Sequence, residues 1–548
     1  MADSKLWTDV RPSADLARRY RELGFWRDLT PAADLRRWAR ETPDTVAITA
    51  HQAGSGVRRL TYREYAGQVD RMTAVLAELG VGSGNVVTVQ LPNCWQLHAV
   101  VLACAQLGAI AAPFVTTIRA RELELMLSRL EPVAHVTMQA WDGYEYSAVL
   151  ASIADRLPSL KHRVIVGGRV MPGEIDLEQR MEEADSARLV TDYSAEDPDR
   201  VSMALFTSGT TGGSKAALHS FNTLYVGYTQ TAMRSELSSA DVLFTPHALG
   251  HILGQIFTNM LPLYLGAEAF ITDTGDPATV ARLLAEYRVT FLIGAPVFID
   301  AIAQAARLQN HELPWLRLVV ATGTTVPASL VSTVRDDLGV TLAAGWGMTE
   351  TGGASQTSPD EDPPDWAARS IGRPFGGVEA DLRCDGEASA GNPARLFVRG
   401  PNVCLATMPR DNGEVSVLAE HDGGWYDTGD LAVPDGRGGL RLAGRAADRI
   451  GGGFMIPAAD VEDALRQHPD IIDAALVGYG PGNELPCAVV VTRKPLTLDE
   501  VRAYLDGIEM TDWYQPRRLE LIEQLPRNPT GKVDKHHLRS WLAKFLFP

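Results

Sequence analysis

Four short segments carry the residue types that phosphate and carboxylate chemistry needs. Thr207 to Lys215 (TSGTTGGSK) directly follows an apolar run, Val201 to Phe206. Its glycines and hydroxyl residues make a loop whose backbone N–H groups and side chains can wrap phosphate oxygens, and Lys215 adds a positive charge. It is not a Walker A loop: Ser214 separates Gly213 from Lys215, and Ala216 stands where a magnesium-binding Ser or Thr belongs. Gly345 to Glu350 (GWGMTE) offers an aromatic face, a hydroxyl at Thr349 and a carboxylate, at the end of an expected strand where ligands of α/β sheets bind. Trp425 to Leu431 (WYDTGDL) sets Asp430 on a tight turn, suited to the two hydroxyls of a ribose, and GRAAD (Gly444 to Asp448) follows. Pro526 to Lys532 (PRNPTGK) is a rigid turn presenting a lysine. Taken singly, these segments also read as a polar turn, a packed Trp, a turn-forming Asp and a solvated lysine.

Lysine is scarce, with seven residues against forty-four arginines. Surface charge is therefore mostly arginine's work, and two of the few lysines, Lys215 and Lys532, sit beside glycines in turn-rich segments. A compact, mobile point charge is what those positions would gain over a flat guanidinium. In Phe244 to Gln255 (FTPHALGHILGQ), His247 and His251 have the spacing of a zinc-binding pair on a helix, but no Glu follows the first His as in a metalloprotease. His251 is expected at a pocket wall, with a structural histidine as the alternative.

The elements that must position these residues alternate. Val86 to Leu91, Val201 to Phe206, Val289 to Ile293, Leu316 to Ala321 and Val340 to Ala344 read as strands. Leu97 to Ala112, Pro277 to Arg288 and a segment from near Pro327 read as helices. Such alternation implies parallel sheets covered by helices. The apolar run Ala99 to Val115 reads as one buried helix, too short for the ~18–20 residues that cross a bilayer. After Glu350 come a proline-rich acidic loop, Ser358 to Asp365, and short strands divided by glycine turns, which suggest a small antiparallel barrel. Ala458 to His468 reads as an amphipathic helix, Ala474 to Val477 and Ala488 to Thr492 as strands, and Thr497 with Glu500 as a capping box. The expected fold class is α/β: a large N-terminal domain of helix-covered parallel sheets plus a small β-barrel, and a small mobile α+β C-terminal domain.

Composition sets outer bounds. The chain of 548 residues is 45% apolar and 22% charged, ordinary for a globular protein. A formal charge of −17 argues against nucleic acid or an anionic membrane as partner, while leaving room for a small anionic substrate held by local donors. Five widely spaced cysteines without Cys-x-x-Cys read as free thiols in a reducing compartment. The N-terminal residues lack a signal-peptide layout, so a cytoplasmic protein is expected.

In this order the segments resemble the adenylate-forming superfamily, which includes acyl- and aryl-CoA synthetases, aryl-acid AMP ligases, peptide-synthetase adenylation domains and luciferases. The resemblance spans nearly the whole chain and includes Leu60 to Asn93, IGRPFGGVE (Ile371 to Glu379), LFVRGPNV (Leu396 to Val403) and the tail from Trp513 to Leu538. The segments LPNCWQ and GGFMIPAADVE look closest to the cyclic- and aromatic-acid ligases. The resemblance implies an N-terminal AMP-binding domain over residues 1–447 and a mobile C-terminal domain over 448–548, with a hinge at Asp448. It implies that a small-molecule acid attacks the α-phosphate of ATP, with Mg2+, and that the acyl group then passes to a thiol, most often that of coenzyme A. By matching position, Thr207, Ser208, Gly209, Thr210, Thr211, Gly212 and Lys215 would hold the β- and γ-phosphates. Gly323, Thr324 and Thr325 would edge the adenine, with Trp346 stacked on it. Thr349 would contact the α-phosphate, Glu350 the metal, and Asp430 and Arg445 the ribose. His251 and Gly347 would lie in the acid pocket, and Lys532 would bridge carboxylate and α-phosphate.

Several positions depart from the family's pattern. Ser214 replaces the usual proline before the loop lysine, and Ala447 the lysine before the hinge. The stretch before Gly452 and Gly453 looks one residue short, Phe454 and Met455 occupy usually polar Glu-Asn positions, and the segment Gly480 to Ala488 is shortened. In thioester-forming relatives that face lines the pantetheine channel, so poor use of coenzyme A is expected. Alternatives keep the adenylation and change acceptor or acid: a carrier protein, an amine, or nitrite activated to diazotise an aryl amine in secondary metabolism. A nucleotide-binding sensor without catalysis is disfavoured by the joint presence of Lys532, Glu350 and Asp430.

Overall fold

The computed structural model describes residues 6–184, 192–207, 215–324, 326–389, 392–409, 414–445, 450, 456, 458–480, 485–526 and 533–544. Two nine-stranded sheets form the bulk of the molecule. One runs from Gly56–Thr61 and Val46–Gln52 through Glu268–Thr272, Val242–Phe244, Phe291–Gly294, Leu318–Ala321 and Thr341–Met348 to Gly352–Gln356 and Arg373–Pro374. The other places Val86–Gln90 and Ile110–Phe114 centrally and ends in the antiparallel pair Met203–Thr207 and Lys215–His219, followed by Ala406–Pro409. The middle strands of both sheets are parallel, as the strand–helix alternation requires.

Helices Tyr62–Glu78, Trp95–Gln106 and Phe221–Arg234 join both sheets in one core. Every residue of Trp95–Gln106 is buried, as expected of a helix with an apolar surface all round. Pro277–Glu286, Pro296–Leu308 and Ala328–Leu338 cover the outer face of the first sheet. The Phe221–Arg234 helix is capped by Ser220 and lies so close to Gly352–Gln356 that a Cβ on Gly227 would stand 2.7 Å from the Gly353 nitrogen. Glycine at 227 permits that approach, and a Cβ on Gly353 would in turn press on the Gly227 Cα at 3.3 Å.

One expectation is corrected. The run Ala99 to Val115 is not a single helix: the helix ends at Gln106, and after a turn at Gly108 the chain continues as the strand Ile110–Phe114. Apart from Gln106 and Pro113 the run is apolar throughout and carries no period, so it cannot separate buried helix from buried central strand. Elsewhere the sequence-based elements stand with ends shifted by a few residues, and Thr497 and Glu500 form the expected capping box. The glycine-divided strands after Glu350 make a four-stranded antiparallel sheet, Glu379–Arg383, Ala394–Arg399, Tyr426–Pro434 and Leu440–Arg445. Near the C-terminus Ile471–Tyr479, Leu485–Thr492 and Arg518–Leu521 form a separate sheet, with Ala458–Arg466, Leu498–Gly507 and Lys535–Ala543 in its cores. No helix among the described residues is long and apolar enough to cross a membrane.

Candidate functional site

Strand ends from both large sheets converge on one cavity of about 160 Å³. Thr207 and Lys215 are cross-strand partners at the mouth of the hairpin that leads into the glycine-rich loop. That loop, with Ser208, Gly209, Thr210, Thr211 and Gly212, lies outside the described residues, as do Thr325, Asp448, Lys532 and the Phe454–Met455 segment.

Thr341–Met348 pairs antiparallel with Gly352–Gln356, and Glu350 sits at the tip between them. Its carboxylate is 3% exposed, so a charge there needs partners. It has two on Oε1: Lys215 Nζ at 3.1 Å and the Tyr426 hydroxyl, which donates at 2.9 Å. Lys215 also donates to that hydroxyl at 2.8 Å, closing a triangle of one carboxylate, one ammonium and one phenol. The same tip is held from behind by His219, whose Nε2–H donates to the Thr349 carbonyl at 2.7 Å. Burial lowers the His219 pKa to about 4, against the upward pull of the Thr349 carbonyl and the Glu350 charge, so the ring is a neutral strut. Gly347 must be glycine, since a Cβ there would lie 1.9 Å from the Gly352 carbonyl oxygen.

Trp346 lines the cavity and turns its indole N–H away from it, donating to Asp430 Oδ2 at 3.0 Å. Asp430 is itself the cross-strand partner of Arg445 in the four-stranded sheet, so the two residues expected to grip one sugar share a rung. Gly323 reaches the cavity from the end of Leu318–Ala321, with Thr324 beside it.

Much of the cavity wall is apolar, with Phe114, Val115, Ile118, Met126, Phe206, Ile256 and Phe257 in it. His251 lies there, as expected, but also caps the helix starting at Ile252, its Nδ1 accepting from Leu253 N at 3.3 Å. His247 precedes that helix, so the two histidines are not on one helical face. Their rings stack with centroids 5.3 Å apart, and His247 Nε2 accepts from Ala295 N at 3.0 Å. Burial and the neighbouring His251 both lower its pKa. Among the described residues no cluster of His, Cys, Asp and Glu has the makings of a metal centre.

The C-terminal part of the chain also reaches the cavity. Trp513 and Tyr514 line it, and Thr511 fixes them: its N–H and hydroxyl meet the buried Glu122 Oε2 at 3.3 and 3.1 Å, and its hydroxyl accepts from Arg119 N at 3.3 Å. Tyr426, His219, Thr231 and the Trp513–Tyr514 pair are cavity or support residues that sequence reasoning did not single out. Tyr426 and Trp513 did lie inside quoted segments, which was the one available signal. Among the described residues Glu350 Oε2 makes no hydrogen bond, so the pair can offer a carboxylate oxygen to a cation and the Lys215 ammonium to a phosphate.

Residues 35–406 match the family model described as AMP-binding enzyme, and residues 460–532 match the AMP-binding enzyme C-terminal domain. A CoA ligase for a methyl-dioxo-octahydroindenyl propanoyl group from Mycobacterium tuberculosis is 30% identical over 91% of this chain and 96% of its own. A salicylyl-CoA synthase / salicylate adenylyltransferase from a Streptomyces species is 29% identical, covering 96% of each chain. Among solved structures, the apo form of MbtA from Mycobacterium smegmatis superposes with a TM-score of 0.70 at 26% identity, over 98% of this chain and 99% of that one.

Proposed function

We infer, because this chain belongs to the AMP-binding enzyme family, that it activates a carboxylic acid with ATP and passes the acyl group to a thiol. In the first step the acid's carboxylate oxygen attacks the α-phosphorus and pyrophosphate leaves. In the second, the thiol sulfur of coenzyme A attacks the acyl carbonyl carbon and AMP leaves. The enzyme is thus an AMP-forming acid–thiol ligase. The observation that carries this reading is a cavity whose wall joins Glu350, held by Lys215 and Tyr426, to many apolar side chains. The apolar walls, together with relatives named for salicylate and a bicyclic propanoate, support an aromatic or cyclic acid.

In-line displacement at phosphorus spreads negative charge over several oxygens, so positioned cations and N–H groups supply most of the catalysis. In the structure Lys215 and Glu350 neutralise each other; in our reading ATP takes Lys215 onto its phosphate oxygens together with the 207–212 loop. Glu350 fits a magnesium ion of the kind held by one carboxylate plus phosphate oxygens, because Oε2 makes no hydrogen bond among the described residues. Such an ion supplies charge neutralisation at the phosphates. Thr349 is held to the α-phosphate by the His219 strut, Trp346 stacks on adenine while bracing Asp430, and Asp430 with Arg445 takes the ribose. Lys532, delivered by the C-terminal domain turning about Asp448, bridges the two reacting groups.

One sequence observation favours a second acceptor. Phe454 and Met455 place apolar side chains where the family has polar ones beside the pantetheine arm. A carrier-protein thiol or an amine then competes with coenzyme A. The test is pyrophosphate release across aliphatic, aromatic and inorganic acids, including nitrite with aryl amines, with coenzyme A, carrier protein, amine or no acceptor. Release with an aromatic or cyclic acid is expected; release with none of the acids overturns the reading. Saturable thioester formation at micromolar coenzyme A removes the second acceptor.

A further inference from the structure

Threonines buried in the middle of helices normally give their hydroxyl proton to the carbonyl one turn back. Thr73, Thr229 and Thr258 all do so here, donating to Val69, Tyr225 and Gly254 at 2.8 Å each. Thr231, two residues after Thr229 on the same helix, does not. It is 3% exposed and lines the cavity, and its hydroxyl meets no partner among the described residues. Nor is the oxygen among the sealed, orphaned atoms, so its small exposure is to the cavity. By contrast, the neighbouring wall residue Ser355 donates to the Ile371 carbonyl at 2.7 Å.

The position of Thr231 along the cavity follows from the helix it sits on. Phe221–Arg234 starts at the phosphate end, where Thr223 meets His219, the residue that holds Thr349. It ends where Arg234 donates to the Gln356 carbonyl at 2.5 Å. At 1.5 Å per residue, Thr231 lies about 12 Å further along the axis than Thr223. It therefore faces the part of an acid remote from the reacting carboxylate.

We propose that Thr231 selects for a hydroxyl or amino group on the acid at the end away from its carboxylate. The substrate class becomes aromatic or cyclic acids with a polar distal substituent. This rests on the acid-activating function above. A substrate without that group leaves the buried threonine unpaired in the complex, which should weaken binding about 5- to 150-fold.

The test pairs benzoic, naphthoic and arylpropanoic acids bearing hydroxyl or amino groups at their distal ring positions with the unsubstituted acids. Calorimetry gives acid affinity without any chemistry, and pyrophosphate release is followed in parallel. Wild type should favour a distally substituted acid by the factor above. Thr231→Val should abolish that preference, tightening the unsubstituted acid and weakening the substituted one, and Thr231→Ser should keep it. A preference in binding without pyrophosphate release upholds Thr231 and removes the acid-activating function. Pyrophosphate release with no preference between paired acids overturns the proposal alone. Should Thr231→Val fail to fold, the wild-type comparison and Thr231→Ser still decide.

Discussion

Trp346 donates its indole N–H to Asp430 Oδ2 at 3.0 Å, which ties the tip of the glycine-rich hairpin to the four-stranded sheet. An aromatic wall of the nucleotide end and a carboxylate proposed for the ribose are thus one mechanical unit. Trp346→Phe keeps the ring face and removes the donor from a buried carboxylate. A hydrogen bond to a charged group is worth about 1.5–3 kcal/mol, so the KM for ATP should rise about ten-fold or more while the KM for the acid stays put. Steady-state kinetics with each substrate varied in turn decides it; equal changes in both would make the contact merely structural.

Tyr426→Phe removes the hydroxyl that accepts from Lys215 and donates to Glu350. The ring is retained, so packing survives. With one leg of the triangle gone, kcat/KM for ATP should fall about 5- to 100-fold. ATP–pyrophosphate exchange at saturating acid is the measurement, and a wild-type rate would show that the Lys215–Glu350 pair needs no phenol.

Lys532→Ala should slow adenylation about 10²–10³-fold, the loss typical of a transition-state donor. The motive is a lysine on a rigid PTGK turn in a lysine-poor chain. Exchange kinetics close to wild type would take Lys532 out of the reacting set.

Asp448→Pro should leave acyl-AMP formation largely intact and impair the second step, because proline fixes φ near −65° (roughly) and would freeze the hinge proposed there. Single-turnover adenylate formation is compared with steady-state product. Equal losses in both would mean that no rotation at Asp448 separates the half-reactions.

Three core histidines should make the fold less stable in acid. Burial lowers His98 and His135 to about 3 and His219 to about 4, from an ordinary 6.5. The unfolded chain takes up a proton on each as pH falls through about 6.5, whereas the folded chain does not until far lower. The unfolded state therefore binds more protons in that window, and stability declines as pH drops from about 6.5 toward 4. Thermal melts over the window should show a falling midpoint, with a shallower slope in His98→Gln. An unchanged slope in the variant would contradict the buried neutral state of His98.

The sequence made some of this legible and not the rest, for physical reasons. Lys215, Glu350, Trp346 and Asp430 could be named because glycine turns and polar residues punctuate apolar strands around them; the structure puts Glu350 and Trp346 in the cavity wall and pairs them with Lys215 and Asp430. The junction inside Ala99 to Val115 could not, since a buried strand and a buried helix are both uninterrupted apolar runs. His219 looks like any residue at the end of a strand; its role depends on Thr349, 130 positions later, being folded against it. His247 and His251 have helical spacing in sequence, but the helix begins only after them. Thr231 carries no local signal at all, because what distinguishes it is a hydrogen bond that its helix neighbours make and it does not.

The close approach of Gly227 to Gly353 also bears on how such a chamber can change over generations. With two bare backbones in contact, the gap between helix and hairpin has no side chain left to trim. Width on that side is a property of the main chain, and an enlarging substitution at either glycine would pry the layers apart rather than reshape the hole. Adaptation to a new acid must then work through depth, by exchanging wall residues such as Thr231 or Phe257, while the scaffold around them stays the same.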